Sequence, residues 1–155
     1  MKNKINIKVV NSINKFKAKD WDNCNKNGNV FLSYNFLKLL EDSNSIGGNT
    51  GWQPIYFCLK VDDKITAVVP SFIKYHSQGE FVFDHSWAQA YQSLGLNYYP
   101  KLLIASPFSP VTGKRILVAP NTNDLIKKNY SIILKTSVKI KKYLVYILIF
   151  LRSMN

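Results

Sequence analysis

Several short runs of the chain alternate between apolar and polar residues, and a period of two predicts β-strands. Residues 4–10 alternate in this way, and residues 54–76 hold two such runs separated by Asp62 and Asp63, which predicts a hairpin. Pro70 cannot donate to a β-ladder, so the second strand of the hairpin should lie at an edge or a bulge there. Residues 80–84 (EFVFD) read as a further short strand.

Two segments favour helices because apolar residues recur at three- and four-residue spacings. Ser33 can cap the first helix, whose apolar residues share one face before Gly47 and Gly48 end the element: Phe36, Leu37 and Leu40. Residues 86–89 (SWAQ) match the capping-box pattern, with Ser86 as N-cap. A helix of about two turns should follow, with Trp87, Tyr91 and Leu94 on one face and Gly95 at its end.

The second half of the chain continues the mixture of strands and helices. Residues 101–118 read as two strands around a proline-punctuated loop at 107–113, residues 122–142 favour a helix, and residues 143–151 form a continuous apolar run. That run is too short to span a bilayer as a helix and predicts a buried strand. At 155 residues the chain has the length of a single domain, 1–155.

The net charge of +12 raises the question of nucleic-acid binding, so the position of the charges matters. The first 20 residues carry six Lys against one Asp, and residues 114–155 carry nine basic residues against one acid. Residues 21–113 are close to neutral, with six Lys against seven acids. Only two of the 21 basic residues are Arg, the usual choice for phosphate and base contacts, which weakens the nucleic-acid hypothesis.

Cysteine spacing and the N-terminus indicate a cytoplasmic protein. Cys24 and Cys58 belong to no C-x-x-C pattern, so we expect reduced, partly buried thiols and neither a zinc site nor a disulfide framework. The first ten residues, MKNKINIKVV, lack the apolar core and cleavage site of a signal peptide.

The segment from His76 to Lys101 concentrates the candidate chemistry, since it holds both histidines, a Glu, an Asp, a Trp and three Tyr. In a helix His76, Glu80 and Asp84 would line one face like metal ligands, but Gly79 and the apolar residues around it argue against a helix. In an extended strand Glu80 and Asp84 would stand about 13 Å apart, too far to act as a carboxylate pair. We therefore predict no metal.

What remains is a strand that delivers Asp84 and His85 to the N-terminus of a helix. Helix N-termini offer unpaired amides and a positive dipole end, which suit an anionic group or a developing oxyanion. The alternative is that Asp84 merely caps the helix and that Trp87 and Tyr91 belong to the core.

Three blocks of the sequence resemble the N-terminal half of the FemAB-like family of predicted N-acyltransferases. They are FLSYNFLKLLEDSNSIGGNTGWQPIYF, VVPSFIKYHSQGEFVFDHSWAQAYQSLGLNYYPKLL and PFSPVTGKRIL, and the resemblance extends from about Val30 to Val118. The family is also labelled as GNAT acetyltransferases or as peptidoglycan biosynthesis proteins. The resemblance implies a GNAT-like α/β (α+β) fold, in which a mixed, mostly antiparallel sheet is flanked by helices.

The resemblance also implies transfer of an acyl or aminoacyl group to an amine, such as one of a peptidoglycan precursor. The donor would be an acyl-coenzyme A or an aminoacyl-tRNA. In such a reaction the amine loses a proton, the carbonyl oxygen gains charge and the leaving group takes a proton. By residue type we assign catalytic roles to His76, Glu80, Asp84 and Tyr98, and substrate binding to His85, Trp87, Tyr91, Tyr99 and Lys101.

Family members that the chain resembles are more than twice as long and look like two such halves in tandem. We therefore expect an incomplete half whose partner half would carry the glycine-rich loop for the pyrophosphate of coenzyme A. The competing hypothesis is a non-catalytic remnant or binding module that uses the aromatic segment as a peptide- or glycan-binding surface. A third hypothesis is that the basic ends bind RNA, which would fit a tRNA-linked donor.

Overall fold

The computed structural model describes residues 4–26, 28–80, 83–120 and 122, together with the backbone of the strand Leu144–Ile147. Within this part of the chain eight strands form two four-stranded sheets, with three α-helices beside them. This arrangement confirms the predicted α+β class with a mostly antiparallel pairing, and it is consistent with a GNAT-like fold. The strands are divided between two sheets where the sequence suggested one.

The first sheet contains the predicted opening strand and the predicted hairpin. Its strands run antiparallel in the order β1 (Ile5–Val10), β3 (Tyr56–Val61), β4 (Lys64–Val69) and β7 (Leu117–Val118). Asp62 and Asp63 make the turn between β3 and β4, with φ of 48° and 64°. Positive φ at both central residues is the geometry whose twist matches that of the two strands.

The second sheet carries the candidate site. Its order is β2 (Trp52–Pro54), β5 (Phe72–Lys74), β6 (Lys101–Ile104) and β8 (Leu144–Ile147), and β8 pairs in parallel with β6. The chain passes from the first sheet to the second at Pro70. The strand β4 therefore ends before the proline, and it lies inside its sheet between β3 and β7.

Two of the helices pack on the core and the third does not. The helices α1 (Ala18–Cys24) and α2 (Tyr34–Asp42) bury Trp21 and Leu37 in a cluster that includes Tyr56 and Phe72. The hydroxyl of Ser33 caps α2 as predicted, at 3.3 Å from the Phe36 amide, but the helix ends at Asp42, before Gly47. The helix α3 (His85–Ser93) contains no buried residue.

The structure corrects the prediction for the segment that enters α3. Glu80, Phe83 and Asp84 do not belong to a strand, and the two residues between Glu80 and Phe83 lie outside the described part. The N-cap position of α3 is Asp84, not Ser86, and no side chain caps the helix. Gly95 does follow the end of the helix, with φ of 69°. The predicted helix at 122–142 and most of the final strand lie outside the described residues.

Candidate active site

A row of three directly opposite residues crosses the second sheet. Trp52 on β2 is the partner of Lys74 on β5, and Lys74 is the partner of Lys101 on β6. Side chains of directly opposite residues project on the same face of a sheet. Both lysines are buried, with exposed fractions of 0% for Lys74 and 1% for Lys101. Two neighbouring buried ammonium groups require negative or carbonyl partners.

Lys101 finds those partners in the two carboxylates that precede α3. Its Nζ donates to Glu80 Oε2 at 2.9 Å and also to Asp84 Oδ2. Glu80 and Asp84 therefore meet at one ammonium group, and the separation of about 13 Å expected for a strand is wrong. The predicted distance is wrong because Glu80 and Asp84 do not belong to a strand, so both carboxylates can turn toward β6.

Three hydroxyl groups complete the site around Asp84. Ser77 Oγ donates to Oδ1 at 2.5 Å, Tyr98 OH donates to Oδ2 at 2.7 Å, and Tyr99 OH donates to Oδ1 at 3.1 Å. Ser77 and Tyr99 also contact each other through their oxygens. We call this group the Asp84 cluster, and its members are Ser77, Glu80, Asp84, Tyr98, Tyr99 and Lys101. The carboxylate of Asp84 is occupied by these donors, which explains why it does not cap α3.

The pKa values of the two carboxylates in the Asp84 cluster are shifted in opposite directions. Burial alone raises the pKa of Asp84, but the hydrogen bonds from Lys101, Ser77 and Tyr98 outweigh it and lower the pKa to about 2. For Glu80 burial dominates and raises the pKa above its ordinary value, although Lys101 opposes the rise. Asp84 is thus a fixed negative charge, whereas Glu80 can exchange a proton closer to neutral pH.

Glu80 also has an unused acceptor. Its Oε2 binds Lys101, while Oε1 is buried and has no hydrogen-bond partner within the described residues. A buried carboxylate oxygen without a donor is costly and therefore calls for an explanation. The arrangement offers one acceptor position for a donor group such as an amine.

Lys74 lies beside the Asp84 cluster and was not predicted. Its Nζ donates to the carbonyl of Gln78 at 2.7 Å and lies 4.0 Å from the centre of the Trp52 ring. Burial lowers the pKa of Lys74 to about 8. A signal for this residue was present, because the period of two puts Lys74 on the same face as the buried Phe72. No comparable signal singled out Ser77, the other residue that the sequence did not reveal.

The structure unites five of the nine predicted site residues: Glu80, Asp84, Tyr98, Tyr99 and Lys101. His76 is half-buried, and its Nδ1 accepts a hydrogen bond from the Gln78 amide at 3.2 Å. His85 is exposed, and its ring stacks on that of Phe83 with ring centres 5.5 Å apart. Within the described residues no hydrogen bond joins either histidine to the two carboxylates.

Trp87 and Tyr91 lie on α3, beside the Asp84 cluster. Trp87 is 62% exposed, so the apolar face predicted for this helix is not part of the core. Tyr91 packs edge-on against Tyr98, with ring centres 5.4 Å apart, and thereby connects the helix to the cluster. The exposed apolar surface around α3 also includes Phe83, Leu94 and Leu96.

A separate cavity of about 820 Å³ lies between the end of α1 and the segment that enters β7. The described residues of its lining include two lysines, no acid and no member of the Asp84 cluster. They are Cys24, Asn25, Lys26, Gly28, Asn29, Val111, Thr112, Gly113, Lys114, Leu117 and Val118. Ligand cavities typically measure about 300 to 1,000 Å³. The cavity is therefore large enough for a nucleotide-sized ligand.

The described residues contain neither a cluster of potential metal ligands nor a membrane-spanning helix. No group of three or more His, Cys, Asp or Glu side chains is arranged to hold a metal ion. No helix in the same part of the chain is long and apolar enough to cross a membrane. Cys24 and Cys58 are free and buried, as predicted.

The α+β fold and the buried network of ion pairs and hydroxyl groups do not by themselves identify the protein family. Comparison with known families identifies it. The model of the FemAB-like family, described as peptidoglycan biosynthesis/recognition, matches residues 12–151. The chain therefore belongs to this family, which confirms the resemblance seen in the sequence. Neither the curated proteins nor the solved structures gave a match.

Proposed function

We propose that the protein transfers an acyl or aminoacyl group to an amine, with Glu80 as the general base. The observation that carries the proposal is the buried Oε1 of Glu80, which has no partner within the described residues, on a carboxyl group whose pKa burial raises. A base with a raised pKa accepts a proton more effectively near neutral pH. The family, with its description of peptidoglycan biosynthesis or recognition, supports an amine of a peptidoglycan precursor as the acceptor.

The reaction requires one new bond, one broken bond and two proton transfers. The amine nitrogen attacks the carbonyl carbon of the donor, the bond to the leaving sulfur or oxygen breaks, and Glu80 Oε1 takes the proton that the amine loses. The ammonium group of Lys101 supplies positive charge where the carbonyl oxygen becomes negative. Tyr98 remains the proposed acid for the leaving group, and its hydroxyl is already oriented by Asp84 at 2.7 Å.

Access to Glu80 requires a movement of its neighbours. Glu80 is 7% exposed, and neighbouring protein atoms cover its Oε1. An acceptor amine can reach Oε1 only when neighbouring side chains move aside. The predicted substrate contacts His85 and Trp87 lie on the exposed surface of α3 and are available to the part of the acceptor that stays outside.

The residues present also fit a phosphate-bearing donor. Both acyl-coenzyme A and aminoacyl-tRNA carry phosphates, and the cavity beside α1 presents Lys26 and Lys114 with no acid among the lining residues that the structure describes. We assign the phosphates of the donor to these two lysines. When bound, the donor supplies the activated carbonyl group. The predicted glycine-rich loop for coenzyme A has no counterpart among the described residues of this chain.

The test is a transfer assay on the full chain. Thiol release from acetyl-coenzyme A, and loss of the label from an aminoacyl-tRNA, are followed with a panel of amines that includes a peptidoglycan pentapeptide. We expect turnover that Glu80→Gln abolishes, because the amide cannot accept the proton. Asp42→Asn changes an exposed carboxylate on α2 and serves as the matched control. Turnover that survives Glu80→Gln would show that Glu80 is not the base.

A second function is favoured by one observation, the exposed aromatic surface of α3. Phe83 and Trp87 are 68% and 62% exposed, and aromatic faces bind sugar rings and apolar side chains well. A binding module would bind peptidoglycan fragments through this surface without turning over either donor. Calorimetric titration with muropeptides, repeated on Trp87→Ala, separates this function from transfer: binding that needs Trp87, with no turnover of any donor, identifies the module.

A further inference from the structure

The turn between β5 and Glu80 is held at one carbonyl group. The oxygen of Gln78 accepts from Lys74 Nζ at 2.7 Å and from Trp52 Nε1 at 3.2 Å. The turn itself is closed by the Glu80 amide, which donates to the Ser77 carbonyl at 3.3 Å. Side chains from two neighbouring strands thus bind the same backbone oxygen. Ser77, one residue before Gln78, and Glu80, two residues after it, both belong to the Asp84 cluster.

Gly79 makes this contact possible. Its φ is +76°, and a Cβ added there would lie 2.8 Å from Trp52 Nε1. The indole can therefore approach Gln78 only because no side chain stands at position 79. This close packing indicates that the position of the turn is defined by Trp52 and Lys74 together.

We propose that Lys74 is a positioning residue of the site: its ammonium group holds the carbonyl of Gln78 and so fixes the turn that carries Ser77 and Glu80. The proposal rests on the function proposed above, because it assigns a task within that site. Lys74 is distinct from the catalytic base, since the hydrogen bond that it makes goes to the backbone and not to a reacting group.

A purely structural role would not require a lysine here. An apolar side chain fills a completely buried position at lower cost than an ammonium group does. The charge has a second effect, because Lys74 faces three other charged groups: Glu80, Asp84 and Lys101. Burial raises the pKa of Glu80 and Lys101 opposes the rise; the positive charge of Lys74 opposes it as well, to a smaller extent, and so favours the carboxylate form that accepts a proton.

The charge of Lys74 is itself dependent on pH. Burial lowers its pKa to about 8, while Glu80 and Asp84 favour the charged form and Lys101 disfavours it. Above about pH 8 the amine loses its proton, and both the charge-assisted bond to Gln78 and the attraction to Glu80 weaken. Activity should therefore fall as the pH rises through this range.

The first experiment measures the coupling directly and needs no turnover. The side-chain carboxyl of Glu80 is titrated by carbon NMR in the wild type, in Lys74→Met and in the matched control Lys64→Met, which changes an exposed lysine on β4. We expect a higher pKa of Glu80 in Lys74→Met and no change in Lys64→Met. An unchanged Glu80 titration in folded Lys74→Met would overturn the proposal.

The second experiment uses the transfer assay. Lys74→Met should lower kcat on the order of a hundredfold with little change in KM, because a displacement of about 1 Å costs that much in rate. It should also remove the decline above pH 8. If Lys74→Met does not fold, Lys74→Gln replaces it: this variant keeps a polar side chain at the position but loses the charge, and an unaltered kcat and Glu80 titration would count against the proposal.

The two proposals fail in different ways. A shift of the Glu80 titration without turnover of any donor would leave the role of Lys74 in place and refute the transferase. Turnover that depends on Glu80 but not on Lys74 would refute the positioning role and leave the transferase.

Discussion

Replacement of Lys101 by methionine tests whether the Asp84 cluster is held as the structure shows. Lys101 is the ammonium group shared by Glu80 and Asp84, and its side chain is 2% exposed. Methionine fills a similar volume without the charge. The variant leaves the carboxylates of Glu80 and Asp84 close together in a buried site, without the ammonium group that bound both.

The magnitude follows from the partners that remain. Removal of one member of a buried ion pair typically costs about 3 to 5 kcal/mol. Asp84 keeps its hydrogen bonds from Ser77, Tyr98 and Tyr99, and Glu80 can take up a proton, so we expect a loss at the lower end, about 3 kcal/mol. In a domain of about this size 1 kcal/mol corresponds to about 2 to 4 °C, which predicts a melting temperature lower by about 6 to 12 °C.

Thermal unfolding followed by circular dichroism measures this loss. The control is Lys38→Met, which removes an exposed lysine that pairs with Asp42 at 2.6 Å and should melt close to the wild type. The double variant Lys101→Met/Asp84→Asn should regain part of the loss, because it removes the charge that the single variant leaves without a cation. A single variant that melts within about 2 °C of the wild type would refute the buried network.

Three further outcomes follow from single side chains. The pKa of Asp84, about 2 in the folded protein, stabilises the fold above pH 4, and this stabilisation is lost as the pH falls from 4 to 2. Urea unfolding should therefore show that the free energy of unfolding falls by about 2 kcal/mol over this range in the wild type but not in Asp84→Asn. Gly79→Ala should destabilise more than Gly48→Ala in urea, because both have positive φ but only the first meets Trp52, and equal losses would contradict the close approach. Asp63→Gly should raise stability by about 1 kcal/mol in the same assay, because Asp63 has φ of 64°, and a lower stability would contradict the turn.

The parts of the fold that the sequence predicted are those determined by neighbours along the chain. The hairpin is an example, because alternation on both sides of Asp62 and Asp63 specifies the strands and the turn together. The cap at Ser33 is another, since the hydroxyl and the amide that it binds are three residues apart. The division into two sheets was not predicted, because pairing between β2 and β5 depends on contacts between distant segments.

The candidate site shows why local patterns mislead where a charged residue is buried. Read locally, Asp84 before a helix is a cap and residues 80–84 are a strand. In the structure Lys101, seventeen residues after Asp84, binds both carboxylates, so neither carboxylate takes the predicted role.

A lysine at a position that strand alternation assigns to the interior is therefore the more informative signal. Lys101 opens the apolar strand KLLI and Lys74 ends the apolar strand FIK, so each calls for a buried partner of opposite charge or a carbonyl. The nearly neutral central part of the chain holds these two lysines and two buried acids, Glu80 and Asp84. The buried lysines therefore point to Glu80 and Asp84 as partners, whatever secondary structure the residues around the two acids predict.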